Sequence, residues 1–168
     1  MVMANIKRIL SHLLTTPWRV RRTFPRETMR AIEHAIAQSE SSHVGHLCFA
    51  VEGALGFPAL YKGVTPRERA LEAFSQLRVW DTEQNNGVLI YLLLADHCVE
   101  IVADRGIHAK VGTQGWQVIC GQMEAAFRRA DYQRGVVEGI RSITQSLTQH
   151  FPARDRREQG LPGKPVIL

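Results

Sequence analysis

The sequence predicts an α/β fold, a three-layer α/β/α sandwich built on a small mixed sheet. Three observations carry this. Helical and strand periodicities run in the order helix, strand, helix, strand, strand, helix, helix. The run Val88–Leu94 is apolar or aromatic at every position, and a strand buried on both faces needs helices on both sides of its sheet. Asp96-His97 is a turn so short that it must reverse the chain, which makes the second and third strands antiparallel. The first two strands are joined through a helix, so a right-handed crossover leaves them parallel.

Taken in order, residues 4–22 set Ile6, Ile9, Leu10, Leu13 and Leu14 at helical spacing among cations, with Trp18 and paired arginines behind them. They predict one short amphipathic basic helix. Pro25 opens a helix over 25–41 whose stripe is Met29, Ile32, Ala35 and Ile36. His46–Glu52 alternates and is rich in β-formers, giving the first strand, and Gly53, Gly56 and Pro58 mark a loop. Thr65-Pro66-Arg67-Glu68 is a capping-box start for a helix ending near Trp80. Gly87 opens the second strand, which runs to Ala95, and Cys98–Ala103 is the third. Two helices follow over 113–129 and 132–149. The polar segment 151–168, with its prolines, reads as a tail.

The chain thus divides into a basic N-terminal helix (1–24), a single domain (25–150) and the tail. Residues 1–30 hold seven basic side chains and one acidic, whereas the remaining 138 hold 14 basic and 15 acidic. The net charge of +5 therefore belongs to the N-terminal segment, and no nucleic-acid partner is expected of the domain. Two destinations suit the helix: docking on the domain, or an anionic membrane surface reached through residues 1–22. No run is long enough to span a bilayer and no secretory signal is visible, so a cytoplasmic protein, peripheral to the inner membrane face, is expected. Cys48, Cys98 and Cys120 are widely spaced without a C-x-x-C pair and read as reduced core thiols.

The strand directions bring separate polar segments to one sheet edge. Asp81, Glu83, Asn85 and Asn86 precede strand two, Asp104 and Arg105 follow strand three, and His43 and His46 precede strand one. Carboxylates and amide oxygens are the donors that Ca²⁺ or Mg²⁺ prefers, so Asp81, Glu83, Asn86 and Asp104 are candidate ligands, with His46, Asn85 and Arg105 beside them. The same residues have ordinary uses: Asn-Asn-Gly is a common turn, Asp104-Arg105 a surface ion pair, and the two histidines solvated loop residues. Ser39, Ser41 and Ser42 read as a helix end, and no nucleophile motif is present. Glu52 ends strand one at the opposite edge.

Asn85-Asn86-Gly87-Val88-Leu89-Ile90, then a hydrophobic strand, a tight turn and Val99–Gly106, is similar to the central signature of TPM domains. Phe127-Arg128-Arg129-Ala130-Asp131-Tyr132 with Gly135 resembles that family's Phe-x(3)-Asp-Tyr-x(2)-Gly segment. The resemblance covers about residues 25–150. It implies an α/β/α sandwich and an acidic surface pocket linked with divalent ions, and for some members an acid-phosphatase activity. Two departures fall at the expected site. Ala103-Asp104-Arg105-Gly106 replaces a Gly-aromatic-Gly turn, and His46 follows Gly45 where an acidic residue is expected. The functions that follow are a divalent-ion-binding interaction module with protein partners, working beside membrane proteins, and a metal-dependent phosphatase on small phosphomonoesters. In the phosphatase, Asp104 and Asp81 would hold the ion and Arg105 the phosphate.

Overall fold

The computed structural model describes residues 2–153 and 163–168. Helices α1 (Val2–Leu14), α2 (Pro17–Thr23) and α3 (Arg26–Glu40) lead into strand β1 (Leu47–Glu52). Helices α4 (Phe57–Tyr61) and α5 (Pro66–Gln76) cross to β2 (Val88–Leu93), and one 3-10 turn at Leu94–Asp96 reverses the chain into β3 (Cys98–Ala103). Helices α6 (Arg105–Phe127) and α7 (Tyr132–His150) follow, and Val166–Ile167 forms β4.

The sheet order is β3-β2-β1-β4. β1 runs parallel to β2, pairing Leu47 with Val88 and Glu52 with Leu93. β3 is antiparallel to β2, pairing Ala103 with Val88 and Cys98 with Leu93. Alternate side chains enter two separate cores. Leu47, Phe49, Val51, Val88, Ile90 and Leu92 pack under α3, α6 and α7 through Ile32, Ile36, Met123, Ile140 and Ile143. Cys48, Ala50, Leu89, Tyr91 and Leu93 face α4 and α5 through Leu60, Ala70 and Ala73. This is the three-layer sandwich with a small mixed sheet that the all-apolar second strand requires.

The capping box at Thr65 forms as its sequence demands: the Glu68 amide donates to Thr65 Oγ1 at 3.2 Å and the Thr65 amide to Glu68 Oε2 at 2.8 Å. The link between the last two helices explains the spacing of Phe127, Asp131, Tyr132 and Gly135. The Phe127 and Tyr132 rings stack at 5.1 Å, and a Cβ at position 135 would sit 2.7 Å from the Phe127 ring. Only glycine leaves that space.

Several sequence expectations are corrected. Residues 4–22 form two helices and not one, because Pro17 starts α2 and cannot continue α1. The helix expected from 113 begins at Arg105, directly after β3; Gly112, at φ +74°, breaks its phase and hides the first turns from a periodicity reading. The expected loop after Gly53 contains α4. The C-terminal segment, read as a tail, adds β4 parallel to β1, pairing Ala50 with Val166 and Val51 with Ile167. Its residues 154–162 lie outside those described.

Helix α1 docks on the far end of β2. Asp96 receives Arg8 Nε at 3.2 and 3.1 Å and pairs with His12 Nε2 at 2.9 Å. Ser11 Oγ donates to the Ala95 carbonyl at 2.6 Å, and the Leu55 amide donates to His12 Nδ1 at 2.9 Å. A ring nitrogen that accepts an N–H carries no hydrogen, so His12 is neutral and donates from Nε2 to Asp96. Among the described residues no helix is long and apolar enough to cross a membrane.

Candidate functional site

The starts of β1 and β2 and the end of β3 meet at one sheet edge, as the strand directions require. The Val88 amide donates to the His46 carbonyl at 2.8 Å, and the Asp104 amide donates to the Gly87 carbonyl at 2.8 Å. The loop before β2 then folds over the first turn of α6. Ile107 N–H donates to the Asn85 carbonyl at 3.2 Å, and a Cβ at Gly106 would stand 2.5 Å from the Gln84 carbonyl oxygen. Gly87 is squeezed harder still against the Val79 carbonyl. These two glycines are the condition for the loop lying where it does.

Asp104 is the N-cap of α6, with Oδ1 accepting the Arg105 amide at 2.7 Å. The surface ion pair suggested for Asp104-Arg105 is replaced by this cap, and Arg105 is exposed. Asn86 is 1% exposed; its amide donates to Thr82 Oγ1 at 3.0 Å, and its side-chain oxygen has no hydrogen-bond partner. Asn85 holds a left-handed conformation at φ +52°, which asparagine tolerates better than most residues. Asp81 turns back instead toward Arg78, at 3.6 Å, because Arg78 is itself left-handed (φ +56°) and its carbonyl receives the Asp81 amide. Glu83 is exposed. The carboxylates of Asp81, Glu83 and Asp104 therefore do not converge. Among the described residues no three His, Cys, Asp or Glu side chains gather as a metal ion would need. The same edge carries oxygens of other kinds: the unpartnered Asn86 Oδ1, the Asp104 carboxylate at the start of α6, and the Gln84 and Asn85 carbonyls packed against Gly106.

Sequence reasoning missed Glu40. Its Oε1 lies 3.7 Å from His46 Nδ1 and accepts the Gly163 amide at 2.9 Å, tying the C-terminal segment to the start of β1. Its position at the end of α3 carries no motif.

His43, expected to be solvated, is buried against α3 and α7. Its Nδ1 accepts the Gly45 amide at 3.1 Å, so Nε2 carries the hydrogen and donates to Ser39 Oγ at 2.7 Å. Thr144 Oγ1 lies 2.6 Å from Ser39 Oγ and 2.7 Å from the Ile140 carbonyl. A carbonyl can only accept, so Thr144 donates to Ile140 and Ser39 donates to Thr144. The protons thus all run one way, from Gly45 to Ile140. A Ser–His contact of this length suggests a hydrolytic pair, but this imidazole already holds a hydrogen toward the serine and cannot take another from it. Burial lowers the His43 pKa below its usual 6.5, the strongest influence, against an opposing pull from Glu40.

At the opposite end of the sheet, Tyr91 Oη donates to Glu52 Oε2 at 2.6 Å and Arg69 Nε to the same oxygen at 2.8 Å. The three cysteines are free thiols; burial pushes Cys48 and Cys120 up to about 11 and Cys98 to about 12, so they rest protonated.

Comparison with known proteins agrees with this architecture. The comparison with curated proteins returned no match. The NMR structure of BA42 protein from the psychrophilic bacteria Bizionia argentinensis sp. nov. superposes with a TM-score of 0.73 at 25% identity, covering 84% of this chain and 93% of that one. A family model described as TPM domain matches residues 21–146, a span that includes all of α3 through α6 and the edge where the loop before β2 meets α6. The chain belongs to the TPM-domain family.

Proposed function

We propose that this TPM-domain chain is a divalent-cation-binding interaction module, with a weak Ca²⁺ or Mg²⁺ site where the 84–87 loop meets the first turn of α6. The observation that carries the reading is Asn86 Oδ1, a buried acceptor without a donor. Such an atom costs about 1–3 kcal/mol unless something positive meets it. The groups at the same edge fit a cation by type, all being hard oxygens of carboxylate, amide or carbonyl. Asn86 and Asp104 would hold the ion. Asp81 and Glu83 are exposed, and the Arg78 pair that Asp81 would leave is a weak surface one. With Asp104 as its one half-buried carboxylate, the site's affinity is expected on the order of 10⁻⁴ to 10⁻³ M, the weak end of the range that ligand charge sets.

An anion at this edge is less well supported. Of the first amides of α6, Arg105 N–H is taken by Asp104 and Ile107 N–H by the Asn85 carbonyl. The phosphatase reading rests on exposed Arg105 beside Asp104, and asks these occupied donors for help that a phosphate would need.

An NMR titration of the full chain with Ca²⁺ and with Mg²⁺ tests the cation reading. Amides of residues 81–87 and 104–107 should shift together, and Asp104→Asn should weaken the response at least tenfold. Absence of shifts there with either ion would remove the proposal. Phosphate release from a small phosphomonoester that depends on Asp104 and Arg105 would put the phosphatase in its place.

A further inference from the structure

Helix α1 is docked the wrong way round for an ordinary amphipathic helix. Positions 8, 11 and 12 share the face that meets the domain, and all three side chains are polar: Arg8, Ser11 and His12 bond to Asp96, Ala95 and Leu55. Positions 6, 10, 13 and 14 share the other face, and all four are apolar. Ile6 and Leu10 are each 52% exposed, Leu13 64% and Leu14 71%. Trp18, on α2, is 65% exposed, with the Arg22 guanidinium over its ring at 5.2 Å. A single exposed leucine needs no explanation, but four apolar side chains turned outward on one helical face while the polar ones turn inward do.

Other exposed groups lie at the same end of the sheet. The Arg8 guanidinium reaches the Val64 carbonyl at 2.9 Å, which brings α1 beside α4 and its exposed, stacked Phe57 and Tyr61. The exposed charges interleaved with these apolar groups are cations: Lys7, Arg19, Arg21, Arg22 and Lys62. Apolar side chains with tryptophan and a basic margin match an anionic bilayer, whose headgroups meet the cations while the leucines enter the acyl boundary. A protein partner would have to supply a matching acidic and apolar surface of its own.

We infer that α1 and α2 form a membrane-docking face that holds this chain on lipid surfaces containing anionic headgroups. Docking on the domain and lying on a membrane are then one arrangement, since they use opposite faces of the same helix. The helix arrives already folded and fixed, so binding costs no ordering of the segment.

The test is flotation of the full chain with phosphatidylcholine vesicles, with and without phosphatidylglycerol, at low and high salt. Binding is expected only with the anionic lipid, weakening as salt rises. Leu10→Asp combined with Leu13→Asp should reduce binding at least tenfold, and Lys7→Glu with Arg19→Glu likewise. Val118→Asp, an equally exposed site on α6, should leave it unchanged. These positions are exposed, so urea denaturation should give the wild-type midpoint for each variant. Lack of flotation by the wild-type chain overturns the inference. So does a wild-type dimer in sedimentation equilibrium that Leu10→Asp with Leu13→Asp dissociates, which would assign the face to a second copy.

Discussion

His43 Nε2 and Ser39 Oγ lie 2.7 Å apart between α3 and α7, and the proton between them belongs to the imidazole. The contact is the middle of a relay that fastens the two helices and fixes the turn into β1. Ser39→Ala should leave the His43 N–H without its acceptor and cost about 1–3 kcal/mol. The measurement is the urea midpoint, which should fall while the slope of the transition stays constant.

The same histidine makes stability depend on pH in a definite direction. Burial lowers its folded pKa below 6.5, so near neutrality it is uncharged both folded and unfolded and contributes no pH slope. As pH falls below 6.5 the unfolded chain takes up a proton first, and stability drops by up to about 1.4 kcal/mol per pH unit until the folded pKa is reached. Comparing wild type with His43→Gln isolates this slope from other groups. The variant should be less stable near neutrality and lose less on acidification; equal losses would mean that His43 titrates normally.

Tyr91 is enclosed on β2 with Glu52 as its acceptor, and burial together with that carboxylate holds its phenol far above the ordinary 10. Of the three tyrosines, Tyr91 should therefore stay protonated in an ultraviolet titration until the alkaline protein unfolds. The sign follows: above pH 10 the unfolded chain loses a proton that the folded one keeps, so folding weakens as pH rises. Tyr91→Phe should abolish the late absorbance step and cost about 1–3 kcal/mol by leaving Glu52 with Arg69 alone.

Gly106→Ala is expected to cost about 1–3 kcal/mol or more, because the new methyl would meet the Gln84 and Asn85 carbonyls at 2.5 and 2.7 Å and backbone cannot step aside cheaply. Its amide shifts should be confined to residues 84–87 and the first turn of α6. Gly121→Ala has open space, and should gain a few tenths of a kcal/mol or more. A matching loss at both positions would contradict the close approach.

The sheet was legible because every rule pointed the same way. A seven-residue apolar run, a short reversal and an intervening helix leave one pairing for β1, β2 and β3; β3 falls at the expected residues Cys98–Ala103, while β2 ends at Leu93 and the reversal takes Leu94–His97 instead of the expected Asp96-His97 alone. That the segment before β2 meets the segment after β3 at one edge was legible for the same reason. The direction of Asp81 was not, since it depends on a left-handed Arg78 that no pattern announces. Nor was the burial of His43: a histidine beside glycine in a turn reads as solvated until Phe151–Ala153 close over it. The short first segment of α6 was hidden by Gly112, and β4 by its two-residue length, with pairing supplied entirely by β1.

Strand β2 separates two polar arrangements. Asn86 stands two residues before it and Asp96 three residues after it. Six extended residues put about 20 Å between them. If α1 is the base on which the molecule stands, the edge that carries Asn86 is its raised head, turned toward the aqueous side. Whatever meets that edge arrives from solution or from a neighbour projecting as far from the surface. The rigid sheet between base and head, and not the freedom of a linker, then sets the height at which they meet.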